Sequence, residues 1–246
     1  MRRLSLLVAA LALLAAWQVL AWAVNRPLLP GPAVVLPTFA MELPGSLGEH
    51  LVVSLWRVLA SIALALATAV PLGLVLGQST RLNRFLSPLV YLLHPIPKVV
   101  LVPIVLLFFG VGDFPKIFII FLILFFQVLV LVRDQAAAIR PELVDSVRSL
   151  GAGRRALFRF VYLPATLPAV LTALRQSIGT AVAVLYVAEL FATRRGLGYY
   201  IFVNGSTFFD YPKMYAGVLA MSLLGVALYF AADGLHRRLC AWQFAA

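Results

Sequence analysis

Uncharged apolar stretches of about twenty residues recur along this chain, the length an α-helix needs to cross roughly 30 Å of hydrocarbon. The first covers residues 4–24, behind Arg2 and Arg3. Others fall at about 51–77, 85–110, 114–132, 165–191 and 214–232. Runs this continuous, without period-two alternation, indicate helices rather than a barrel. With 63% of its 246 residues apolar and only 12% charged, the chain belongs in a bilayer. The expected fold class is an all-α integral membrane protein with six transmembrane helices.

The first stretch has a rival reading as a signal peptide, because Ala21-Trp22-Ala23 after a basic start resembles a cleavage site. Its length favours retention as a helix. Residues 25–48 carry Pro27, Pro30, Pro32, Pro37 and Pro44, and they are expected to form a loop without regular helix. Residues 1–50 are thus one helix and a Pro-rich loop, and residues 51–246 hold the other five spans. The lone Cys240 excludes an intramolecular disulfide or a cysteine-based metal cluster. His50, His94 and His236 lack ligand spacing, so no metal or cofactor is expected.

A net charge of +11 reads in such a chain as a topology signal before it reads as nucleic-acid affinity. With the N-terminus inside, the cytoplasmic segments hold Arg2, Arg3, Arg81, Arg84, Arg133, Arg140, Arg148, Arg154, Arg155, Arg159, Arg237 and Arg238. Opposite them stand only Arg26, Lys116, Arg194, Arg195 and Lys213. The imbalance predicts that both termini are cytoplasmic, together with a basic insert at about 134–164. Arg57, Lys98 and Arg175 remain inside spans.

In that insert the pattern is of two short amphipathic helices joined at glycines. Pro141 suits a first helical turn, Glu142 and Asp145 lie near the positive end of the helix dipole, and Arg148 lies near its negative end. Leu143, Val144, Val147 and Leu150 form one apolar stripe. Gly151 can take the left-handed conformation that ends a helix, and a second helix follows up to Leu163-Pro164. Such a hairpin could rest on anionic lipid headgroups, serve only as an orientation signal, or lay a helix in a partner's groove. Periodicity does not choose among the three.

The spacing Asp145-Ser146-Val147, Gly151, Val161, Leu163-Pro164 resembles the EAA loop of permease subunits of bacterial ATP-binding-cassette (ABC) importers. It departs from that pattern in Asp for Glu, and in Ser and Val for the two alanines. The stretches SLGAGRRALFRFVYLPATLPAVLTALR, HPIPKVVLVPIVLLFFGVGDFPKIFIIFL and AELFATRRGLGYYI are similar to the nitrate, sulfonate and taurine branch of that family. The resemblance extends from about Leu51 to the C-terminus. It implies a type I importer permease fold of five core helices plus an N-terminal one, in the inner membrane, as a pair of permeases, either a homodimer or with a related second permease. It implies as partners two ABC ATPase subunits and a periplasmic or surface solute-binding protein. The insert becomes the coupling helix, with Leu143, Val144, Val147 and Leu150 as docking contacts and Gly151 permitting the bend.

Pro88, Pro95, Pro97 and Pro103 fall in the third span, more than an unbroken helix tolerates. Broken helices survive in membranes where protein or a cavity supplies partners for the freed backbone groups. Lys98 either contacts solute, faces a partner subunit, or satisfies carbonyls freed by Pro95 and Pro97. Ser54, Arg57 and Ser61 share a face of the second span. Thr172, Gln176 and Thr180, with Arg175 nearby, share a face of the fifth. Both faces fit helix packing as well as solute contact. Glu189 is the one carboxylate well inside a span, so a path lined by Arg57, Lys98, Arg175, Gln176 and Thr180 would suit a small anionic or zwitterionic solute. The aromatic segment around Tyr199, Tyr200, Phe208 and Phe209 reads as an interfacial belt or as a gate or external docking surface.

The chain lacks a G-x-x-x-x-G-K-[ST] phosphate loop, so nucleotide handling would fall to another chain. A self-sufficient secondary transporter is the alternative, but ion coupling usually uses intramembrane carboxylates or histidines, which are scarce here. No paired carboxylates or nucleophile-base arrangement suggests an enzyme.

Overall fold

The structure, a computed structural model, describes residues 2–191 and 193–243. Its elements are α1 (Arg2–Val24), α2 (Pro32–Glu42), α3 (Ser46–Gln78), α4 (Thr80–Leu93), a 3-10 turn (Lys98–Leu101), α5 (Val102–Phe109) and α6 (Asp113–Ala137). Then come α7 (Pro141–Arg148), α8 (Arg154–Leu157), a π turn (Phe158–Tyr162), α9 (Leu163–Leu190), α10 (Leu197–Ser206), α11 (Tyr211–Leu239) and a last 3-10 turn (Ala241–Gln243). No strand occurs among the described residues. Four helical segments there are long and apolar enough to cross a bilayer: α3, α6, Arg154–Leu190 and α11. Helix α4 and Lys98–Phe109 qualify together as a pair bent by 76°, and α1 is apolar over the shorter stretch Val8–Val24.

The bend lies where the prolines foretold a break. Pro97 has no N–H to give the carbonyl of Leu93, and the residue before a proline is pushed out of helical geometry. Residues 25–48 correct the expectation of a helix-free loop, because α2 forms there. Pro32 occupies the first turn, where no intrahelical N–H is needed. The orphan N–H of Ala33 is taken by Gln18 Oε1 of α1 at 3.2 Å. Pro37 then forfeits one internal hydrogen bond in a helix anchored at its start.

The chain divides into two compact units, one holding the chain up to Leu55 with Glu189–Leu224, the other Trp56–Ala188 with the chain from Gly225 onward. In the first, Val35, Leu47, Leu197 and Ala216 are fully buried, and Trp17 of α1 stacks on Tyr215 of α11 with ring centroids 6.0 Å apart. Its polar centre is Glu189, which is wholly buried. The Ser54 hydroxyl lies 2.9–3.0 Å from its two oxygens, and the N–H of Gly198 donates at 2.9 Å. Ser54 Oγ in turn accepts the N–H of Leu197 at 2.8 Å, and His50 Nδ1 accepts that of Gly196 at 2.9 Å. The N–H groups that open α10 are thus taken up by Glu189, by the Ser54 hydroxyl bound to it, and by His50.

In the second unit, Ala69, Leu74 and Leu76 of α3 pack with Val128, Leu129, Val132 and Ala136 of α6 and Val170 and Ala173 of α9. Gly73 and Gly77 face Val132 and Ala136 so closely that an added Cβ would overlap them. Small residues four apart let two helix backbones meet where lipid provides no hydrophobic drive. A second cluster joins Leu174 and Ile178 to Ala232.

Candidate functional site

The first helix of the 138–164 loop is folded as the sequence indicated, with Pro141 opening α7, Glu142 in its first turn and Arg148 in its last, whereas the second does not end at Leu163-Pro164 but runs on through the π turn into α9. Gly151 closes it at φ +82°, its N–H donating to the Arg148 carbonyl at 2.9 Å. Ser146 Oγ donates to the Glu142 carbonyl at 2.7 Å, and Asp145 lies 3.5 Å from Arg148, both exposed. The apolar stripe divides. Val144 is buried and Val147 half-buried against Leu157, Val161, Ile139 and Tyr162, a small core internal to the loop. Leu143 and Leu150 stay outside, 46% and 85% exposed. The four residues therefore do not form a single outward face: two brace the hairpin and two are free to meet something else. Leu163, exposed, and Pro164, half-buried, open α9 directly after the π turn.

Lys98 is 7% exposed, in the turn between α4 and α5. Its Nζ donates to the carbonyls of Leu93 (2.8 Å), His94 (2.9 Å) and Ile96 (3.1 Å) and lies 4.6 Å from the Phe126 ring centroid. These bonds engage all three ammonium hydrogens. The Leu93 carbonyl is the one that Pro97 left without a partner. Lys98 thus holds the break together, and it also lines the cavity beside it.

Beside it lies a cavity of about 320 Å³ lined by His94, Lys98, Phe126, Gln127, Thr180 and Val184, among others. A second cavity of about 290 Å³ shares His94 and Gln127 and adds Gln176 and Ser177. Lys98, Gln176 and Thr180 are thus brought around one polar region. Gln127, which sequence reasoning passed over, joins the two cavities. Its Oε1 is buried and has no hydrogen-bond partner, a state that costs free energy unless something supplies a donor. The available signal was a lone amide in the run FLILFFQVLVLV.

Arg57 and Arg175 line neither cavity. Arg57 is 2% exposed and binds Asp113 Oδ1 through Nε and Nη2 at 2.9 and 2.6 Å. The nearby Ser61 hydroxyl donates to the carbonyls of Arg57 and Ile117. Arg175 Nη1 lies 2.8 Å from Asp233 Oδ1, which also draws in Arg237 at 2.9 Å through its other oxygen. These two arginines tie elements together, which agrees with the helix-packing reading of the two faces and places neither residue at the cavities beside Lys98. Their acidic partners sit at the start of α6 and the end of α11, at sequence separations that no local pattern reveals.

Residues 69–240 match the family described as binding-protein-dependent transport system inner membrane component. A probable ABC transporter permease of Brucella abortus (strain 2308) is 31% identical over 222 residues, covering 90% of this chain and 88% of its own length. The taurine transport system permease protein TauC of Escherichia coli (strain K12) is 31% identical over 201 residues, covering 82% and 73%. Among solved structures, the inward-facing MetNI methionine ABC transporter aligns with a TM-score of 0.67 over 79% of this chain and 96% of its own, at 19% identity, which speaks to fold. An all-helical chain with a bent, proline-broken helix pair and a capped loop hairpin, matched over most of its length, belongs to the binding-protein-dependent transport system inner membrane components, the non-catalytic permease subunits of ABC transporters.

Proposed function

We propose that this chain forms the translocation pathway of an ATP-driven importer for a small anionic or zwitterionic solute. It works as a homodimer in the bacterial inner membrane, on two ABC ATPase subunits and beneath an external solute-binding protein. Six helices cross the membrane, counting α1 and the bent pair, and both termini lie in the cytoplasm. The orientation rests on the arginine imbalance.

The observation that carries this reading is the exposed pair Leu143, on α7, and Leu150, in the turn that follows it, on a hairpin with a small core of its own. A short helix and its closing turn with two outward leucines suit a groove on a soluble partner. Motion of the ATPases would reach the membrane through the π turn that joins the hairpin to α9. Along the path, the cavities hold the Lys98 side chain and, at Gln127 Oε1, a hydrogen-bond acceptor that could take a donor from a zwitterion's ammonium. The resemblance of the relatives to this chain, the taurine permease among them, favours an oxyanion-bearing solute.

The test is reconstitution with the cognate ATPase and binding protein in proteoliposomes. Leu143→Asp with Leu150→Asp is expected to abolish solute-stimulated ATP hydrolysis while the chain still inserts and unfolds at the wild-type temperature. Solute uptake by this chain alone, driven by a proton gradient, would sink the proposal.

A further inference from the structure

A further polar pocket, of about 410 Å³, belongs to the first unit, between the end of α2, the start of α3, α10 and the start of α11. Its wall carries a facing pair of opposite charges, Lys213 Nζ 2.9 Å from Glu42 Oε1, both partly exposed. The Tyr200 hydroxyl approaches Glu42 Oε2 at 3.4 Å. Burial, followed by the Glu42 charge, pushes that hydroxyl well above the usual tyrosine range, so it remains a proton donor. Asp210 adds a second carboxylate, one oxygen of which accepts the backbone N–H of Lys213 at 3.1 Å. Aromatic rings complete the lining: Tyr199 and Tyr200 lie against His50 at 5.9 and 5.4 Å, and Phe208 stands 68% exposed at the rim.

We propose that this pocket binds a small zwitterion, a molecule with an ammonium and an oxyanion a short chain apart. A simple anion would meet the carboxylates of Glu42 and Asp210, and a simple cation would meet Lys213. A zwitterion instead exchanges partners with the resident ion pair. Its ammonium takes Glu42 and Asp210, its oxyanion takes Lys213, and no charge is left uncompensated. The faces of Tyr199 and Phe208 suit the ammonium end, because aromatic rings attract cations through their quadrupole. The volume is that of a small-molecule site. The site is distinct from the cavities at Lys98 and narrows the solute class to molecules carrying both charges. It requires neither an ATPase nor transport, so its failure would leave the permease reading standing.

The experiment uses the full chain in lipid nanodiscs without any binding protein, titrated with taurine as the zwitterionic probe. Ethanesulfonate serves as the anion alone and ethylammonium as the cation alone. Saturable taurine binding is expected, at least about tenfold tighter than either comparison compound. Glu42→Gln and Lys213→Met should each weaken it by about tenfold or more. Phe208→Ala removes an exposed ring, leaves the unfolding temperature unchanged, and is expected to weaken taurine about threefold to tenfold. The proposal falls if ethanesulfonate binds as tightly as taurine, or if the folded chain shows no saturable taurine binding. It falls equally if Phe208→Ala binds taurine like the parent. That variant and the three-probe comparison decide the matter even where the charge variants do not fold.

Discussion

Replacing Gly196 by alanine tests how much of the first unit hangs on one buried carboxylate. Gly196 has φ +118° and ψ 157°, a region held almost only by glycine, and putting another residue there costs about 1–3 kcal/mol. The new Cβ would also overlap the carboxylate of Glu189. That group is the end of a flexible side chain, but it is fully buried and held by the Ser54 hydroxyl and the Gly198 N–H. Displacing it breaks two charge-assisted contacts worth about 1.5–3 kcal/mol each. The sum, about 4–9 kcal/mol, rivals the whole stability of a typical domain. Gly151 provides the control: it too has positive φ, at +82°, but no atom lies within 4 Å of an added Cβ. Gly151→Ala should therefore cost only backbone strain, about 1–2 kcal/mol. In detergent-solubilised protein heated stepwise and assayed by size exclusion, Gly151→Ala should lower the midpoint by a few degrees, roughly 2–8 °C. Gly196→Ala should leave little native protein at any temperature. Equal, small shifts for the two variants would refute the reasoning about Glu189.

Three further outcomes follow from contacts already described. Lys98→Met strips three carbonyls of their donor and is expected to destabilise the chain by about 2–5 kcal/mol, read as a lower midpoint in the same assay; an unchanged midpoint would mean that Lys98 does not brace the break. Val144→Asp puts a charge in the loop's small core and should speed proteolysis within residues 138–164, whereas Leu150→Asp, on an 85% exposed side chain, should leave the cleavage rate unchanged. Asp113→Asn removes the charged partner of a buried guanidinium and should cost about 1.5–3 kcal/mol, measurable as the difference in denaturation midpoint.

What could be read from the sequence was what local physics dictates. The break in the third span followed from Pro95 and Pro97, and the end of α7 from Gly151, because proline chemistry and left-handed glycine act within a few residues. Helix α2 was missed because five prolines outweighed the one fact that mattered, that Pro32 stands where a helix begins. The inward turn of Val144 was hidden because a stripe shows which residues share a face but not what covers it; the cover, Leu157 and Val161, comes from the next helix. Lys116 was counted as an extramembrane cation, yet it is 1% exposed in the first turn of α6, with Nζ on the Gly112 carbonyl at 2.8 Å. Charge alone did not distinguish it from a solvated lysine. For Arg57 and Arg175 the sequence left helix packing and solute contact open, since their acidic partners lie 56 and 58 residues away.

The small core formed by Val144, Leu157 and Val161 has a meaning for evolution and engineering. A loop that carries its own packing does not depend on a partner for its shape, so it behaves as an interchangeable part. On the proposed docking, exchanging residues 138–164 between permeases would carry the hairpin over intact, with Leu143 and Leu150 as the outward leucines to be fitted to a new ATPase. New pairings of channel and engine would then ask for changes at the outer surface of the hairpin instead of refolding a joint.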